Sequence, residues 1–330
     1  LKTNDGGTTW LPLASGMAQD LLGICSVDRD TVWAAGEGGA IVKTSTGGGQ
    51  WYPQESGVTA RLNDVEAVDP ATAWAVGESG TIIKTSDGGE TWEGQQSYAE
   101  VELLSVCAVD EDNAWAVGRQ GTLLRTRNGG DNWAHLNLDT KYNLLGIYAL
   151  DSDNVLVSGD KGIIARTSDG GRTWTEQGSG TEARLYCVAA CDCNNAMAAG
   201  NYGFIRRTFD GGGSWVPQGA ASANDLFALA MTDANTAWAV GFSSTIVKTI
   251  DGGETWISQG LGAENNLHST DAVDDGTAWA VGEGGTILMT SDGGYTWRNQ
   301  STGIRDDLLS VSAVDETYAW AVGQMGTILQ

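Results

Sequence analysis

The sequence predicts an all-β fold: an eight-bladed β-propeller of four-stranded antiparallel blades, with its closing blade shared between the N- and C-termini. A seven-bladed ring carrying an extra unit is the alternative. Three observations lead there: a repeat of fixed length, a strand-and-turn pattern inside each repeat, and two chain ends that complete each other. Self-similarity at a period near 40 residues is the mark of propeller blades. The string Thr-x-Asp-Gly-Gly-x-Thr-Trp recurs with its Asp position at Asp5, Thr46, Asp87, Asn128, Asp169, Asp210, Asp251 and Asp292, and every interval is 41 residues. The closing Trp is present in all eight copies, from Trp10 to Trp297. The other six of the 14 Trp, namely Trp33, Trp74, Trp115, Trp238, Trp279 and Trp320, share a second repeat position. No Trp is left over as a singular binding residue.

The elements follow in order within one unit. Residues 62–68 (LNDVEAV) alternate in polarity, and Asp69-Pro70-Ala71-Thr72 is a turn sequence. Residues 73–76 (AWAV) form a second strand, residues 77–80 (GESG) turn the chain, and residues 81–85 (TIIKT) form a β-branched third strand. Asp87-Gly88-Gly89 then leads into Thr91-Trp92 and a polar fourth strand. Four short strands joined by three tight turns make a β-meander. Seven complete units start at Leu21, Leu62, Leu103, Leu144, Leu185, Leu226 and Leu267. Residues 308–330 supply three strands of an eighth unit, and residues 1–13 supply the end of a third and a fourth. Joining them closes the ring and removes free sheet edges. Residues 1–330 therefore read as one domain. Leu1 and Leu329 occupy the same repeat position, which predicts a piece of a longer chain.

Composition narrows the function. The chain has 18 basic and 42 acidic residues, for a formal charge of −24, and is 41% hydrophobic, which suits a folded protein. Such an acid excess repels phosphate backbones, so nucleic acid is not an expected partner. No run of 18 apolar residues occurs, so direct membrane insertion through a helix is not expected.

The segment Thr-Ser-Asp-Gly-Gly-Glu-Thr-Trp (85–92) resembles the Asp-box, or bacterial neuraminidase repeat. With the Ala-Trp-Ala-Val-Gly strand before it, the unit resembles the repeats of the photosystem II assembly and stability factor family. The resemblance covers all eight units. It implies a propeller, a protein partner and an assembly role. It also implies an extracytoplasmic location, whether secreted, cell-surface, periplasmic or thylakoid-lumenal. Family members are typically seven-bladed and use basic surface residues, whereas this chain shows eight units and a charge of −24.

Candidate sites divide into repeated and variable positions. The box residues Asp5, Asp87, Asp169, Asp210, Asp251 and Asp292 read as structural, each carboxylate bonding backbone N–H groups while the two Gly permit positive φ. One carboxylate per box does not make a calcium site, so no metal or cofactor is expected. A second Asp series, Asp28 to Asp315, ends every first strand and predicts an Asx turn. Bases near the end of the third strand (Lys43, Lys84, Arg125, Arg166, Arg207 and Lys248, broken by Met289) suggest an Asp–base pair within each blade, with Lys84 opposite Ala73. A basic ring holding an anion is the other reading.

The turn between second and third strands varies, and so do the connections between units. In a four-stranded meander both lie at one end of the blade. The candidate binding face is therefore Glu37, Glu78, Arg119, Asp160, Tyr202, Phe242, Glu283 and Met325, with the three apolar members favoured as anchors. Cys25 and Cys107 are expected to be free. Cys187, Cys191 and Cys193 crowd one unit, so a Cys191–Cys193 or Cys187–Cys193 disulfide stands beside free thiols as a reading. No catalytic residue is expected. A sialidase-like glycosidase would need an arginine cluster, a Tyr–Glu pair and an acid on longer loops, and the unbroken spacing leaves no insertion to hold them. The expected function is a non-enzymatic protein-interaction or assembly scaffold, with a lectin-like glycan-binding module as the alternative.

Overall fold

The computed structural model describes residue 10 and residues 12–219, 221–259, 264–300 and 303–329. Leu1 and the box residue Asp5 lie outside the described residues. Eight four-stranded antiparallel sheets are present, so the ring is eight-bladed and the seven-bladed alternative is overturned. Blades 1 to 7 are residues 21–53, 62–94, 103–135, 144–177, 185–218, 226–258 and 267–299. Blade 8 combines residues 308–329 with the strand Pro12–Ala14, which pairs antiparallel with Thr327–Leu329, Leu13 opposite Ile328. The two ends of the chain thus share the closing blade. No helix among the described residues is long and apolar enough to cross a membrane.

The core lies between blades. One cluster joins Trp33, Ala35 and Ile41 of blade 1 to Leu62, Val65, Ala75, Ile83 and Trp92 of blade 2. Another joins Trp320, Val322 and Ile328 of blade 8 to Leu21, Val32 and Trp51 of blade 1, which completes the circle. The two Trp series meet here. The box Trp of one blade stands edge-on to the second-strand Trp of the blade before it: Trp33 and Trp92 have centroids 5.6 Å apart at 86°, and Trp51 and Trp320 stand 5.7 Å apart at 80°. Edge-to-face aromatic pairs add about 0.5–1.5 kcal/mol beyond area burial. The small Ala residues flanking each second-strand Trp are fully buried and let neighbouring sheets approach.

First strands pack against first strands of both neighbours, so these eight line the centre of the ring. Each carries a bulge near its start, as between Leu62 and Asp64 or Leu185 and Cys187. A bulge re-aims the extra side chain. That residue is Tyr186 in blade 5, Phe227 in blade 6 and His268 in blade 7.

Candidate functional site

The two ends of each blade are built differently. At one end, the Glu78–Gly80 turn donates Glu78 N–H to Arg61 O (2.9 Å), tying the variable turn to the connection that enters the blade. At the other, Gly88 N–H reaches Ala71 O (2.9 Å), tying the box turn to the turn after the first strand. All eight variable positions therefore lie around one end of the ring.

The middle residue of each variable turn is left-handed. Ser79, Gln120, Lys161, Tyr202, Ser243 and Met325 have φ between 51° and 59°, while Gly38 and Gly284 fill the remaining two places. Side-chain oxygens at the start of the next blade accept the N–H: Asp225 takes Tyr202 (2.8 Å) and Asp20 takes Met325 (2.9 Å). The following residue is Gly because a Cβ on Gly80 would lie 1.9 Å from Ala99 O. Blade 6 departs with Ser244, whose N–H and Oγ both bond Asn265 O, at 2.7 and 2.8 Å.

The candidate residues divide by chemistry. Arg61 Nη atoms stand 3.7 Å from Glu37 and 3.6 Å from Glu78, and Arg61 bonds Glu102, which also receives Arg119. Burial opposes the charge of Glu102, but the bonds from Arg119, Arg61 and Asn63 outweigh it and hold the carboxyl below its usual range. Asp160 accepts from Arg184 and from Asn143 Nδ2 (2.9 Å), and Glu283 accepts from Asn266 Nδ2 (2.8 Å). These charged side chains are thus engaged within the molecule. Tyr202, Met325 and Phe242 are instead 70%, 64% and 48% exposed.

A neighbouring feature is not among the expected site residues. Tyr186 and Phe227 pack edge-on at 5.5 Å, Phe227 stacks on His268 at 6.5 Å and 26°, and Asn201 Nδ2 reaches Tyr186 Oη at 3.2 Å. This aromatic row on the wall of the channel touches the turn that carries Tyr202. Its signal was present in the repeats, where the same position is Leu22, Leu104, Leu145 and Leu309 in four other blades.

At the opposite end, Asp87 Oδ1 accepts Thr91 N–H (2.9 Å) and Thr85 Oγ1 (2.8 Å), and Oδ2 accepts Thr91 Oγ1 (2.6 Å). Thr91 above all pulls the Asp87 carboxyl down to about 2. Asp169, Asp210, Asp251 and Asp292 repeat these bonds. Asx turns occur throughout the second series, as where Asp69 Oδ1 accepts Ala71 and Thr72 N–H at 2.6 and 2.8 Å.

The expected Asp–base pair within a blade is corrected. Lys84 pairs in register with Trp74, not Ala73. Its ammonium lies 4.4 Å from the Trp74 ring centroid and donates to Glu111 O (2.8 Å) and Gly129 O (2.9 Å) of the next blade. Lys43 and Lys248 do the same one blade earlier and four blades later. Arg125, Arg166 and Arg207 likewise bond backbone carbonyls of the next blade, so these bases join neighbouring blades. All five cysteines are free, so neither disulfide forms. Burial pushes the Cys107 and Cys187 thiols up to about 12.

Residues 49–185 match the family model described as photosynthesis system II assembly factor YCF48. YCF48 bound to D1 peptide is 18% identical at TM-score 0.68, covering 100% of this chain and 98% of that one. YCF48 from Cyanidioschyzon merolae is 20% identical at TM-score 0.65, covering 97% and 98%. Sqt1 from Chaetomium thermophilum is 12% identical at TM-score 0.76, covering 100% and 99%. At such identities the likeness is one of fold. No curated protein matches the chain. Repeat, ring and matched segment together make this chain a β-propeller that resembles the photosystem II assembly factors.

Proposed function

We propose that this protein is a non-enzymatic, extracytoplasmic scaffold that holds a protein partner on its variable face. The observation that carries the reading is the exposure of Tyr202, Phe242 and Met325 on turns fixed by backbone hydrogen bonds. Large apolar side chains on a rigid support are the usual anchors of protein interfaces. The aromatic row of Tyr186, Phe227 and His268 extends that surface toward the channel. The likeness to YCF48, one structure of which holds a D1 peptide, supports a peptide-like partner. The test places a photo-crosslinking amino acid at position 202 or 242 and, as a control, at Tyr52 on an outermost strand. A protein adduct is expected from 202 and 242 in the cell of origin. Adducts arising only from position 52, or glycan-array binding with no protein adduct, would sink the reading.

A further inference from the structure

Blades 5, 6 and 7 break the repeat at the box end, opposite the variable face. The residue after the box Thr is Ser45, Ser86, Ser168 or Ser291 in four blades, but Phe209 in blade 5 and Ile250 in blade 6. Beyond the box Trp, where blades 1 to 4 and 7 carry Tyr52, Glu93, Ala134, Thr175 and Arg298, blades 5 and 6 carry Val216 and Ile257. Between the glycines and the second Thr, Glu90, Asp131 and Glu254 give way to Tyr295 in blade 7. All five replacements are exposed, Tyr295 by 92%. Three of them meet. Ile250, Ile257 and Tyr295 line a groove of about 660 Å³ between blades 6 and 7, with Lys248 and Trp297 in its lining and Asp275 and Asp292 at its edge.

The charge around this groove selects its occupant. Lys248 is only 5% exposed, lies 4.2 Å from the Trp238 ring centroid and gives its protons to Asp275 O (2.5 Å) and Gly293 O (3.1 Å). It presents no free cation. Asp275 and Asp292 line the groove and are exposed, Arg298 is exposed next to Trp297, and the chain as a whole carries −24. A second copy of the chain would bring another −24 and be repelled.

We propose that the groove between blades 6 and 7 binds a basic peptide segment of a partner protein, an apolar side chain seating on Ile250, Ile257 and Tyr295 while Lys or Arg residues meet Asp275 and the acidic surface of the chain. The scaffold then has two working faces, with the second independent of the variable turns. A fluorescein-labelled Lys-Leu-Lys-Phe-Lys-Leu-Lys peptide is the probe, titrated by fluorescence anisotropy against the whole chain. Two control peptides carry Glu for Lys, or Ser for Leu and Phe. The Ile257→Ser/Tyr295→Ser variant keeps every carboxylate, and Tyr295→Ser alone puts a polar residue where blade 6 has Glu254. Both variants and both control peptides are expected to weaken binding by at least about tenfold, while Tyr202→Ser leaves it unchanged. Equal binding by the double variant, or by the Ser peptide, reduces the effect to plain charge attraction and overturns the proposal. So does sedimentation equilibrium showing a wild-type dimer that the double variant dissolves. Failure of the crosslink at 202 and 242 would leave these readings untouched.

Discussion

Tyr202 and Met325 hold left-handed backbone at φ 58° and 55°, a conformation that costs about 1–2 kcal/mol for a residue with a Cβ. Gly38 and Gly284 take the same place in blades 1 and 7 at φ 63° and 61°. Substituting Tyr202→Gly removes that strain, although glycine also gives the unfolded chain more freedom. The expected net effect is a stabilisation of about 0.5–1 kcal/mol by urea titration, together with loss of the binding anchor. A Tyr202→Gly protein less stable than wild type would show the turn to be unstrained. One residue on, the sign reverses. Gly80→Ala puts a Cβ 1.9 Å from Ala99 O, so a loss above about 2 kcal/mol is expected. The need for Gly80 could be read from the repeat, because the position is almost always Gly. The strain at Tyr202 could not, because the residue types found there are compatible with ordinary turns.

At the scale of the strand, the third-strand base is a fastener between blades. Lys84 spans from the Trp74 ring to two carbonyls of blade 3, and Met289 replaces the base in blade 7, buried opposite Trp279. That exception supplies a design: Lys84→Met keeps the stem that covers the Trp, whereas Lys84→Ala removes it. Thermal or urea unfolding should give a cost of about 1.5–3 kcal/mol for Met, since the bonds lost come from a charged donor. The cost for Ala should exceed that for Met by at least about 1 kcal/mol, since lost packing is added. Equal costs would mean that the stem contributes nothing. Strands, turns and blade number were all legible from the 41-residue period. The partner of Lys84 was not, because it depends on register. Treating residues 77–80 as a two-residue hairpin put Lys84 opposite Ala73, whereas the three-residue turn Glu78–Gly80 shifts the pairing by one. A shift of one residue moves a side chain to the other face of a sheet. The neighbouring blade, which holds the carbonyls, is invisible to any argument made within one repeat. The variable face was likewise legible as a set of turn positions. Its division into engaged charges around Arg61 and free apolar tips was not, because side-chain partners come from different blades.

Across the whole ring, two populations of carboxylates oppose each other, and their balance sets how stability responds to pH. Around the central channel, burial raises Asp64 to about 6 and Glu66, with Asp64 nearby, to about 8, while Asp271 rises to about 6. Unfolded carboxyls titrate near 4. Between about pH 8 and 4 the folded protein therefore binds more protons than the unfolded chain, and stability rises as pH falls through that window. The box aspartates behave in reverse. Thr91 holds Asp87 near 2, Thr173 holds Asp169 near 2, and the corresponding bonds do so at Asp210 and Asp251. Their contribution is present above about pH 4 and is lost as pH falls toward 2. The excess of 42 acids over 18 bases adds self-repulsion at neutral pH and reinforces the first trend. The expected profile is a midpoint of thermal unfolding that climbs from pH 8 to a maximum near pH 4–5 and collapses below it. Glu66→Gln isolates the channel contribution: it should raise the midpoint at pH 8, leave it nearly unchanged at pH 4, and flatten the curve between. A wild-type profile level from pH 8 to 5, or a Glu66→Gln variant with the same slope as wild type, would mean that the channel is solvated well enough for its carboxylates to titrate as they do in water.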